Sequence, residues 1–123
     1  MAAPNIIGAT TINGKTTGAN LTSTSATTVL NNPANSGKCL KINVLNVSNY
    51  SSTAGVITIG YYNAANIGGT LFQITGSVSV PANSTLNVID KTSQYYLEEN
   101  SSLGAISGAA NTLCVTCSYE DIS

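Results

Sequence analysis

A chain of 123 residues is long enough for one domain and too short for a second core. Only 7% of its residues are charged and the net charge is −1, which excludes the basic footprint of a nucleic-acid binder or of a protein drawn to an acidic membrane. There is no histidine, no tryptophan and no arginine. No apolar run approaches the ~20 residues of a membrane helix, and the start MAAPNIIGAT has neither a basic segment nor the apolar stretch of an export signal, so a soluble protein is expected. So few charges leave a free surface weakly protected against association, which points to a surface covered by neighbours in an assembly.

Residues 1–20 contain the apolar pair Ile6-Ile7 and the dipeptide Asn13-Gly14, a strong hairpin signal because a type I′ turn needs two positive φ angles. An N-terminal arm or small hairpin over 1–20 is expected, followed by a single β domain over 21–123. Ala26 to Leu30 reads as a weak strand, and Asn31 to Gly37 as a loop. Lys38 to Val47 is the best candidate for a central strand. Leu40, Ile42 and Val44 share one face, then Leu45 and Val47 take the other, so the strand either bulges or is covered on both sides. Asn49 to Ala54 is turn-like, Gly55 to Tyr62 a further strand, and Asn63 to Gly69 a loop of small residues.

From Phe72 to Leu103 three strand signals are divided by turn chemistry. Phe72, Ile74, Val78 and Val80 alternate with polar residues, with a break expected near Gly76. Pro81 to Ser84 forms a turn, Leu86 and Val88 face inward, Asp90 to Ser93 ends that strand, and Tyr95-Tyr96-Leu97 follows. Ala105 to Asn111 reads as a loop, Leu113 to Tyr119 as the last strand, with Leu113, Val115, Cys117 and Tyr119 inward, and Glu120 to Ser123 as a tail. The pattern predicts an all-β fold, an antiparallel β-sandwich or jelly-roll of about eight strands with an extended N-terminal arm.

The candidate chemistry is thin. Cys114 and Cys117 have CxxC spacing, but residues three apart on a strand face opposite sides, and with only Cys39 left a structural zinc lacks ligands. Reduced thiols are expected, a bridge between Cys39 and one of the other two being the alternative. Asp90, Glu98, Glu99, Glu120 and Asp121 match no calcium loop, and they and Lys15, Lys38, Lys41 and Lys91 are expected to face water. A histidine-dependent triad is excluded by composition. No catalytic, cofactor-binding or metal-binding residue is therefore assigned, and no enzyme is expected. The tyrosine pairs Tyr61-Tyr62 and Tyr95-Tyr96 suit strands that bury one ring and present the next at an interface.

Four stretches carry a resemblance: AAPNIIGATTINGKT (2–16), KINVLNVSN (41–49), VPANSTLNVIDKTSQYYLEENSSL (80–103) and VTCSYEDIS (115–123). Together they resemble small virion structural proteins of tailed bacteriophages, particularly those of cyanophages and other marine phages. The resemblance implies a non-enzymatic capsid decoration or cement protein, made in the host cytoplasm and bound to the outer capsid of the virion. Its implied partners are the major capsid protein or other virion proteins. Jelly-roll analogy adds a homo-oligomer such as a trimer. Partner contacts are expected from Ile6, Ile7, Tyr61, Tyr62, Tyr95 and Tyr96, with no nucleic acid and no membrane. A tail, neck or baseplate subunit is the alternative, and a carbohydrate-binding β-sandwich module an alternative of another class.

Overall fold

The computed structural model describes residues 8–123. Nine strands form two antiparallel sheets: β1 (Ile12–Asn20), β2 (Thr27–Asn32), β3 (Cys39–Asn49), β4 (Gly55–Ala64), β5 (Gly68–Val80), β6 (Thr85–Ile89), β7 (Tyr95–Leu97), β8 (Ser101–Ser107) and β9 (Leu113–Ile122). One sheet runs β1-β9-β3-β6 with β7 also on β3, and the other β2-β8-β4-β5. The chain changes sheet at every connection except the β4–β5 hairpin and the β6–β7 turn. With β6 and β7 counted as one interrupted strand on the free side of β3, this is the eight-strand order of a jelly-roll.

The core is the set of inward side chains that alternation supplies. Ile42, Leu45 and Val47 of β3 and Leu113, Val115 and Cys117 of β9 are fully buried against Ile57 and Ile59 of β4 and Leu103 and Ala105 of β8. The parity switch in β3 is a bulge. The register with β9 jumps between Ile42 and Val44, so Leu40 and Ile42, then Leu45 and Val47, all turn inward. The extra residue, Asn43, spends its side chain outside, donating to Glu120 Oε2 at 3.1 Å and accepting from Gln94 Nε2 at 2.8 Å.

Two buried asparagines tie the sheets together, one at each end. Asn49 Nδ2 donates to the carbonyls of Thr53 (2.8 Å) and Val80 (3.0 Å), joining the end of β3 to the end of β5. Asn32 Nδ2 donates to the carbonyls of Lys38 (3.0 Å) and Leu97 (2.9 Å), joining the end of β2 to β7 and the start of β3. Each donates to two carbonyls at or near strand ends.

Three expectations need correction. Asn13 and Gly14 make no hairpin; they lie within β1, opposite Asp121 and Glu120 of β9, because a full-length partner strand outweighs a two-residue turn preference. The segment 105–107 is not a loop but the end of β8, where Ala105 and Ser107 are buried. The acidic tail is strand as well. Asp121 is buried, with Lys15 Nζ at 3.3 Å and Lys38 Nζ at 3.1 Å from Oδ2, and Glu120 lies 3.9 Å from Lys41 Nζ. Lys15 and Lys38 reach Asp121 while their side chains stay about half exposed.

Candidate functional site

A groove of about 420 Å³ opens where the β4–β5 edge of one sheet meets β7 of the other. One wall comes from the β4–β5 ladder. Tyr61 and Phe72 are cross-strand partners, so their rings stand side by side, 6.1 Å between centroids and tilted by 31°. The other wall is β7, where Tyr95 and Tyr96 lie opposite Ile42 and Lys41 of β3. Ile74, packed on the core, lines the groove between them, and Gln73 and Glu98 supply its polar groups.

Local sequence explains why the groove exists. The turn after β6 is set by Asp90, whose Oδ1 accepts from Thr92 N at 2.9 Å and from the Thr92 and Ser93 hydroxyls, which also holds the Asp90 carboxyl below its ordinary value. That turn interrupts the sheet edge, and β7 resumes for only three residues before Leu97, 1% exposed, plugs the core. Asn32 holds the Leu97 carbonyl and so fixes the strand that carries both rings. Phe72 is 53% exposed, Tyr96 49% and Tyr95 41%, large apolar surfaces left uncovered on a small domain.

Of the residues expected at a partner surface, Tyr61, Tyr95 and Tyr96 converge here, although they are far apart in the chain. Tyr62 does not join them. It is 7% exposed on the outer face of its sheet, lying with Ile67 over Gly104, where a Cβ would come within 2.8 Å of the Tyr62 ring and 2.9 Å of Ile67. The hairpin tip that brings Ile67 there is pinned by side chains: Asn66 N donates to Asn31 Oδ1, Ala65 N to Asn100 Oδ1, and Ile67 N to Ser102 Oγ. Ile6 and Ile7 lie outside the described residues. Phe72 was missed as a surface residue because period-2 alternation assigns it to the buried parity.

All three cysteines are free thiols. Cys117 is completely buried and desolvation pushes its thiol up to about 12, while Cys39 is raised first by burial and then by the Glu98 carboxylate. Cys114, on the opposite face of β9 from Cys117, is partly exposed. Among the described residues no three His, Cys, Asp or Glu side chains group as metal ligands.

No protein-family model matches the chain. No curated protein matches it either. Among solved structures, it is similar to a subunit from work entitled "Bacillus endospore appendages form a novel family of disulfide-linked pili", with a TM-score of 0.54 and 12% identity over 100% of this chain and 96% of that one. At that identity the likeness concerns the fold.

Proposed function

We propose that this protein is a non-enzymatic structural subunit that packs into a larger protein assembly through its sheet edges. The observation that carries the reading is β5, an outer strand of thirteen residues, GGTLFQITGSVSV, with no charged residue and no proline. Natural sheets protect long free edges with lysines, prolines, short strands, bulges or a covering element. β5 has register irregularities against β4 but none of the chemical protections. On the opposite side β1 presents nine residues with a single charge, Lys15, which is drawn to Asp121. Exposed Val78 on β5 and Ile12 on β1 add apolar surface to both edges.

The sequence resemblance supplies the setting, the outer capsid of a tailed phage, with the major capsid protein as partner and Ile6 and Ile7 as anchoring residues; a tail or neck ring is the variant with few copies. Quantitative mass spectrometry of purified particles tests it. A copy number equal to that of the major capsid protein, or a simple fraction of it, is expected, and absence from particles overturns the virion setting. A second reading, a subunit of a fibre made from this chain alone, is favoured by the fold shared with the Bacillus endospore appendage subunit. Ordered polymers formed by the purified protein without any capsid would select that reading.

A further inference from the structure

We infer that the aromatic groove is a binding site for neutral glycans, a role separate from assembly. Four aromatic residues, Tyr61, Phe72, Tyr95 and Tyr96, line a space of about 420 Å³, within the ~300–1,000 Å³ usual for small-ligand sites. Aromatic faces suit the C–H face of a pyranose, which is apolar while its rim carries hydroxyls. The groove has matching rim chemistry: three tyrosine hydroxyls, the Gln73 amide and the Glu98 carboxylate. Among the described residues none of these side-chain groups has a hydrogen-bond partner within the chain. They are therefore available to a ligand rich in hydroxyl donors and acceptors.

Charge narrows the class. The lining holds one carboxylate and no cation, so phosphorylated, sulfated or uronic-acid sugars are repelled. The nearest lysine by register, Lys41 opposite Tyr96, has its ammonium 3.9 Å from Glu120 on β9. A neutral hexose or N-acetylhexosamine chain laid along the groove stacks on both walls and meets the two polar side chains without a charge conflict. The position also fits, because the lining comes from both sheets and Phe72, Tyr95 and Tyr96 are exposed.

The test uses the full chain, titrated by calorimetry and ligand-observed NMR with neutral gluco-, galacto- and N-acetylglucosamine oligosaccharides, a sulfated oligosaccharide, choline and a proline-rich peptide. The expected result is a Kd below about 10 mM for at least one neutral oligosaccharide and none for the sulfated one. Phe72→Ala and Tyr96→Ala should each weaken it by about tenfold or more, because each removes one ring face. Tyr50→Ala, which removes a ring that is half exposed but outside the groove, should leave it unchanged. Thermal melting of each variant separates loss of the site from loss of the fold. Binding of choline or the peptide alone, saccharide binding indifferent to Phe72 and Tyr96, or no saccharide binding at all would overturn the inference. Particle incorporation or polymerisation of the same variants, measured in parallel, keeps this outcome distinct from that of the assembly reading.

Discussion

At the residue scale the chain's dependence on asparagine has two separate physical causes. Five of the seven non-glycine residues with positive φ among the described residues are asparagines, at 35, 66, 83, 100 and 111, where a short polar side chain tolerates the left-handed region. Asn32 and Asn49 do something different: each is 1% exposed and satisfies two carbonyls of neighbouring segments. Replacing either by alanine leaves buried acceptors unpaired, and urea denaturation should show a loss of about 2–4 kcal/mol for each. The two losses should add, since the sites lie at opposite ends of the sandwich. The turn role was legible from composition; the bridging role was not, because nothing local distinguishes a buried amide from an exposed one. Cys117 gives a second prediction. With its thiol pushed up to about 12 from 9.0, the folded protein holds that proton more tightly than the unfolded chain does. Its contribution is fully present below pH 9 and is lost as pH rises from 9 towards 12, so stability should fall across that window. Iodoacetamide at pH 8 should label Cys114 in the native protein and reach Cys117 only on unfolding. Equal labelling of both would contradict the burial on which this rests.

At the element scale, β9 shows how ion pairing extends a strand that sequence alone ends early. Alternation stops being apolar at Tyr119, so Glu120 to Ile122 read as a tail, yet all three pair with β1 and β3. Asp121 is buried between two lysines whose side chains are 48% and 44% exposed. That asymmetry sets the energetics. Asp121→Asn frees two lysines that can turn to water, and should cost roughly 1 kcal/mol. The double change Lys15→Met, Lys38→Met strands a buried carboxylate, and should cost about 3 kcal/mol or more. Denaturation of the two variants side by side checks the order, and a larger loss for Asp121→Asn would refute it. The parity switch in β3 was legible, but whether it meant a bulge or a strand covered on both faces was decided only by the register with β9. The groove was legible only in halves. Tyrosine pairs marked Tyr61, Tyr95 and Tyr96, whereas Phe72 and Tyr62 exchanged their expected exposures. The three-residue β7 leaves Phe72 uncovered, and Gly104 makes room for Tyr62.

At the scale of the whole molecule, the sandwich satisfies its own core and leaves two long edge strands, β5 and β1, with a single charge between them. Its low charge, its uncharged β5 and its nearly uncharged β1 are the features on which the assembly proposal rests. The all-β class and sandwich layering followed from alternation and turn spacing. Which edges stay free did not, because strand order depends on contacts between segments far apart in the chain. The most direct test is sedimentation of the wild-type protein, alone and with isolated capsids, beside the variant Thr70→Lys, Ser79→Lys, which places two charges on β5. The wild type should enter large species by self-association or by co-sedimenting with capsids, while the variant stays monomeric with an unchanged melting temperature. A wild type that remains monomeric at every concentration and ignores capsids, or a variant that assembles as well as the wild type, would contradict assembly through this edge.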